Sequence, residues 1–204
     1  MSDHAIAVLE RLSRRAWRPR VDPSFEGPAD GAAEPVVVLD LTRVPLECAL
    51  PREGFLWLRQ GPSVSAGISE SAPVEMDGLV GRWWGRPIVG FEPFADRPLI
   101  DEFVAEDDEE IAAVLAALGA QSPTLEDKLL GFSLDLDDAR LASGQPLAAA
   151  RCPDCGAPMA SLILQATGVS TLPSVTCDWG QGTGLVLACP AHAHRIVGAA
   201  RASW

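Results

Sequence analysis

Two short pairs of metal-ligand residues constrain how the last quarter of this chain can fold. Cys152 and Cys155 are separated by two residues, and Cys189 and His192 repeat that spacing. Two thiolates three positions apart on a tight turn can reach one zinc ion, at about 2.3 Å from each sulfur. The intervening residues 156–188 are long enough for two or three strands that return the chain to the ion. The sequence therefore predicts a closed Cys₃His zinc site, structural in type because no ligand position remains for water.

Other interpretations of these residues stay open from the sequence. Cys-x-x-Cys is also the spacing of a redox pair, although that chemistry belongs to a βαβ context and strand-like sequence follows here. The cysteines can also be ordinary buried thiols, as we expect for the remote Cys48. His194 or Cys177 can replace His192 as the fourth ligand. No nucleophile elbow, phosphate-binding glycine loop or zinc-protease motif is present, so we favour a protein that is not an enzyme.

The charge of the chain limits the classes of partner. Its formal net charge is −12 over 204 residues, and residues 152–192 contain no Lys or Arg. Nucleic acid and anionic membrane surfaces both require a basic face, so we expect neither as a partner. A basic protein partner is compatible, because opposite fields accelerate encounter. Without a long apolar run or a signal-peptide pattern, the sequence predicts a cytoplasmic protein with reduced thiols.

Hydrophobic periodicity predicts a mixture of helices and strands. Apolar residues at helical spacing predict an N-terminal helix over residues 3–16. The acidic stretch 101–110 fits the first turn of a second helix that continues to Leu118. A loop is expected at 61–73, and a loop with a short helix is expected up to Leu141. Short apolar runs predict strands at 35–41, 55–58, 79–84, 87–91, 160–166 and 184–188.

A series of motifs runs through the chain: Leu50-Pro-x-x-Gly54-Phe-Leu56, Lys128-Leu-Leu-Gly131-Phe132, Cys152-Pro-x-Cys-Gly-x-Pro-Met159, Gln165, Leu172-Pro173, Trp179-Gly180 and Cys189-Pro-x-His192. Together they resemble the YwqG-like family, also called DUF1963, of which this chain looks like a divergent and shortened member. The resemblance implies a compact, β-rich α+β domain without a settled biochemical activity. Some members lie near polymorphic-toxin genes, so the resemblance also implies an immunity or toxin-neutralising role.

These observations combine into one prediction of architecture and function. We expect an α+β fold in three segments that form one structural domain: an N-terminal helix and loop at 1–34, an α+β body at 35–150 and a zinc-knuckle β unit at 151–204. The predicted function is a non-enzymatic protein-binding module, stabilised by Zn²⁺ and directed at a partner such as a basic toxin. The alternative is a small-ligand binder or enzyme that uses a groove lined by acidic residues and tryptophans such as Trp83 and Trp84.

Overall fold

The fold consists almost entirely of β-strands. The computed structural model describes residues 14–24, 35–45, 50–59, 64–96, 127–131, 139–170 and 181–202. Strands take up 55% of the described residues, which contain no α-helix and one short 3₁₀ helix, η1 (Leu147–Ala149). The strands are β1 (Arg14–Val21), β2 (Pro35–Asp40), β3 (Phe55–Arg59), β4 (Ser65–Ser69), β5 (Gly81–Trp83), β6 (Arg86–Asp96), β7 (Lys128–Leu130), β8 (Arg140–Leu141), β9 (Ser161–Ser170), β10 (Gln181–Ala188) and β11 (Ile196–Ala202).

These strands form one antiparallel sheet in the order β4-β3-β2-β5-β6-β1-β7-β9-β10-β11-β8. The long strand β6 joins its two halves, because Arg86 and Pro87 pair with β5 whereas Ile88 to Asp96 pair with β1. The sheet curls until β4 approaches β11, which makes it a nearly closed, barrel-like structure. At this approach a Cβ on Gly198 would lie 2.7 Å from the backbone nitrogen of Ala66, so only glycine fits there.

The last strands bury side chains on both faces of the sheet. Along β10, Val186 and Ala188 belong to the main hydrophobic core, while the alternating Leu185 and Leu187 belong to a second, smaller core. This alternation follows from the two-residue period of a strand. The segment 139–159 covers the second core, with side chains that include Leu147 and Met159. Strands from all three predicted segments pair in the one sheet, and the division of the chain at residues 34 and 150 stays a prediction.

The α+β fold class was wrong. The N-terminal helix expected over 3–16 is contradicted because Arg14 to Ala16 begin β1, and residues 1–13 lie outside the described part of the chain. β1 is held by pairing with β6 and β7, as in Trp17 opposite Pro93. Such pairing is distant along the chain and overrides the local helical spacing, because strand formation depends on cross-strand neighbours.

Other expectations from the sequence have mixed outcomes. The loop expected at 61–73 contains β4, and the short helix expected before Leu141 is replaced at residues 140–141 by β8. The acidic helix over 101–118 falls outside the described residues. Within the part of the chain that is described, no helix has the length and apolar character needed to span a bilayer. The six expected strands are confirmed, with altered ends, as β2, β3, β5, β6, β9 and β10.

Candidate metal centre

The first ligand pair lies in a tight turn that follows η1. The backbone N–H of Gly156 donates to the carbonyl of Cys152 at 2.8 Å, and the N–H of Cys152 donates to the carbonyl of Ala157 at 2.8 Å. Gly156 has a φ of +71°, a conformation that glycine adopts without the steric cost of a side chain. The turn therefore directs the thiols of Cys152 and Cys155 to the same side.

The second pair lies in the connection between β10 and β11. The N–H of His192 donates to the carbonyl of Cys189 at 3.3 Å, and the N–H of Arg195 donates to the carbonyl of His192 at 2.8 Å. The connection closes where the N–H of Cys189 donates to the carbonyl of Arg195 at 3.1 Å. Cys189 directly follows β10, so the hairpin geometry of the sheet fixes its position.

These two turns bring the four predicted ligands into one cluster. Their ligand atoms all lie within 4.8 Å of one another. The Sγ of Cys155 is 3.6 Å from the Sγ of Cys189. The Nδ1 of His192 is 3.6 Å from the Sγ of Cys152 and 3.8 Å from the Sγ of Cys189. The imidazole therefore presents Nδ1 to the sulfurs of Cys152 and Cys189.

The spacing of these atoms fits a tetrahedral metal ion. Metal bonds of about 2.3 Å to sulfur and about 2.0 Å to nitrogen place two sulfurs about 3.8 Å apart and a sulfur and a nitrogen about 3.5 Å apart. One sulfur–sulfur separation of 3.6 Å and two sulfur–nitrogen separations of 3.6 and 3.8 Å lie close to these edges. Thiolate and imidazole ligands are also the donor set that zinc prefers. The cluster could therefore hold a metal ion.

The cluster is partly enclosed by the smaller core. Cys152 and Cys189 are buried and pack within that core, whereas the thiol of Cys155 is exposed. His192 is half-buried. The centre therefore lies at the edge of the second core, with two ligands anchored in apolar packing and one facing solvent.

Electrostatics distinguish the buried Cys189 from its neighbours. Burial raises the pKa of its thiol, but the backbone N–H groups of Ala191 and His192 donate to the sulfur and act in the opposite direction. With the nearby thiols of Cys155 and Cys152 also donating, the net effect lowers the pKa of Cys189. Hydrogen bonds to a charged form favour that form, so Cys189 is prepared to carry a thiolate.

Cys155 shows the opposite direction. The backbone N–H of Ala157 lowers its pKa, but desolvation and the neighbouring thiols of Cys189 and Cys152 outweigh this donor and raise the pKa of Cys155. Negative charges packed this closely repel one another, which disfavours the thiolate form of Cys155. A bound cation removes that repulsion, and for this reason a thiolate cluster releases protons when it takes up metal.

An ion pair that the sequence did not predict connects the two turns. The Nε and Nη2 of Arg195 donate to the two carboxylate oxygens of Asp154 at 2.7 and 2.9 Å. The hydrogen bonds from Arg195 lower the pKa of Asp154. His194 also lies against this carboxylate, with its Nε2 3.6 Å from Asp154 Oδ2. In the sequence, the only indication of this ion pair is that Asp154 lies beside the first pair of ligands and the oppositely charged Arg195 lies near the second.

Of the two alternative ligand candidates, the structure places His194 alone. His194 is exposed and contacts Asp154, whereas His192 joins the cluster. Cys177 and Cys48 lie outside the described residues. Of the two tryptophans predicted to line a groove, Trp83 is buried in the main core and Trp84 is partly exposed. A ligand groove at these tryptophans stays a prediction.

Comparison with known proteins adds no relative to this description. Neither a protein-family model nor a curated protein matches the chain. The functional interpretation therefore rests on the geometry of the cluster and on the chemistry of its residues.

Proposed function

We propose that Cys152, Cys155, Cys189 and His192 bind one structural zinc ion. The observation that carries this proposal is the set of distances of 3.6 to 3.8 Å between sulfur and nitrogen ligand atoms. All four positions of a tetrahedral ion are taken by protein ligands, which is the arrangement of structural sites, whereas catalytic zinc keeps a position for water.

The proposed role of the ion is to fasten the segment 139–159 to the sheet. Its described strand pairing with the sheet is short, since β8 has two residues and pairs with β11 alone. In the second core it contributes Leu147 and Met159 together with the small side chains of Ala139 and Ala150. Two ligands come from this segment and two from the β10–β11 connection, so one ion cross-links them. In such sites the free energy of metal binding contributes to folding.

The metal proposal is tested by native mass spectrometry of the purified chain. We expect one zinc per chain, lost after prolonged exposure to a chelator at neutral pH. Cys152→Ser removes a buried ligand, and we expect this variant to retain less than about a tenth of the zinc, because a tetrahedral structural site needs its four ligands. Full zinc retention in Cys152→Ser would rule out this ligand set.

We further propose that the protein is a binding module for a protein partner and not an enzyme. The net charge of −12 supports a basic partner, since opposite charge accelerates association. The closed ligand set supports a non-catalytic role for the metal. The YwqG-like resemblance adds the proposal that this partner is a toxin. We also propose that the protein resides in the cytoplasm, where the thiols of a zinc site stay reduced.

Pull-down of the zinc-loaded chain from its native host tests the partner proposal. We expect a stoichiometric basic protein whose binding weakens as salt rises, because charge attraction is screened over about 8–10 Å at moderate ionic strength. Bovine serum albumin of matched concentration, also acidic, serves as a bait control. Recovery of a small molecule without any protein would instead favour the alternative, a ligand binder or enzyme that uses tryptophans and acidic residues.

A further inference from the structure

Arg195 contacts both halves of the metal centre. Its backbone accepts a hydrogen bond from the N–H of Cys189 and donates one to the carbonyl of His192. Its guanidinium makes two hydrogen bonds to the carboxylate of Asp154, which lies between Cys152 and Cys155 in the first turn. Arg195 therefore connects the backbone of the turn that carries Cys189 and His192 to the side chain of Asp154 in the turn that carries Cys152 and Cys155.

The geometry of this contact is that of a positioning device. A bidentate pair between a guanidinium and a carboxylate fixes orientation as well as distance, which a single point charge does not. The Asp154–Arg195 pair joins the same two turns as the ligand contact between Cys152 and His192. Any motion that separates the two turns must break this pair together with the ligand cluster.

We propose that the Asp154–Arg195 pair is a positioning element that holds the two ligand turns at the spacing the metal requires, and thereby slows release of the ion. This inference rests on the proposed zinc site. Neither residue contributes a ligand atom to the cluster. Groups that support metal ligands from outside typically change metal affinity about 10- to 100-fold when removed. Because Arg195 and Asp154 are partly exposed, we expect the lower end of that range.

The test measures the rate at which the zinc-loaded, full-length protein releases its ion to an excess of a chromogenic chelator. We expect Arg195→Gln and Asp154→Asn each to release zinc about 10-fold faster than the parent chain. Their combination releases zinc no faster than either single variant, because all three lack the same pair. Arg195→Lys falls between, since lysine keeps the charge and loses the two-pronged contact.

The controls separate this inference from the zinc proposal and from general destabilisation. Arg43→Gln removes the Arg43–Asp40 ion pair, which lies in the turn after β2 away from the cluster, and we expect release at the parental rate. Asp154→Asn leaves the backbone contacts of Arg195 intact, so it tests the pair even where Arg195→Gln folds poorly. Absence of zinc from the parent chain overturns the zinc proposal. If the parent holds zinc, two results overturn the positioning role alone. One is that each single variant releases zinc at a rate within about twofold of the parental rate, and the other is that the effects in the double variant are strictly additive.

Discussion

Replacement of Cys155 by serine separates the contribution of the metal from that of packing. Cys155 is exposed, whereas Cys152 and Cys189 are buried. Cys155→Ser therefore deletes one ligand while it removes little apolar surface from the core, and the transfer free energy lost is small. Any large loss of stability in this variant must come from weaker metal binding.

The expected magnitude follows from linkage between binding and folding. A ligand that binds only the folded state stabilises it by about 4.1 kcal/mol when its free concentration is 1,000 times Kd. For a chain of about 200 residues, each kcal/mol changes Tm by about 2–4 °C. At that zinc concentration we expect Cys155→Ser to lower Tm by about 8–16 °C. Excess chelator should lower Tm of the parent chain to the value of the variant, because the two then lack the same interaction.

Calorimetry with and without zinc measures the change in Tm, and hydrogen exchange locates it. We expect faster exchange in 139–159 and 189–195, while β2 in the main core keeps its protection. Cys48→Ser, which keeps all four proposed ligands, is the control and should respond to zinc like the parent. Equal Tm values for Cys155→Ser and the parent in the presence of zinc would refute the reasoning.

Three further predictions concern the rest of the fold. Gly198→Val should cost about 1–3 kcal/mol in urea denaturation, because a side chain there meets the backbone of β4; unchanged stability would show that β4 and β11 do not touch. Lys128→Met should cost about 3–5 kcal/mol, because it leaves the carboxylate of Asp96 buried without the cation 2.7 Å away, and a cost under 1 kcal/mol would contradict a buried pair. The hydroxyl and backbone N–H of Ser24 donate to the Asp22 carboxylate and lower its pKa from the ordinary value of 3.8. NMR titration should therefore find the pKa of Asp22 below 3.8 in the parent and higher in Ser24→Ala. Identical titration curves would argue against the hydrogen bond between Ser24 and Asp22. The stability from this contact is then present above that ordinary value and is lost as pH falls through the lowered pKa.

The candidate metal centre was largely accessible from the sequence because its spacing is local. Cys152 with Cys155 and Cys189 with His192 each need only one tight turn to converge, and strands between the pairs return the chain. The sequence favoured His192 over His194 on spacing and on the YwqG-like resemblance, and in the structure His192 lies with the sulfurs while His194 contacts Asp154. Both lie near the end of β10, and only the backbone of the β10–β11 connection determines which ring faces the sulfurs.

The fold class was not accessible because strand pairing is a long-range property. The residues of β1 carry four arginines and a proline, a composition that does not indicate a strand by itself. Pairing with β6 and β7 on either side makes it one. β4 is similar, since its small residues resemble a loop until β3 pairs with all five of them. In contrast, β2 is buried along most of its length, and its run of β-branched residues predicted it directly.

X-ray absorption spectroscopy of the zinc-loaded protein tests the central claim most directly, because it measures the ligand shell of the ion itself. The account predicts three sulfurs at about 2.3 Å and one nitrogen at about 2.0–2.1 Å, as expected for Cys152, Cys155, Cys189 and His192. A shell of four sulfurs, two or more nitrogens, or a bound oxygen from water would contradict it.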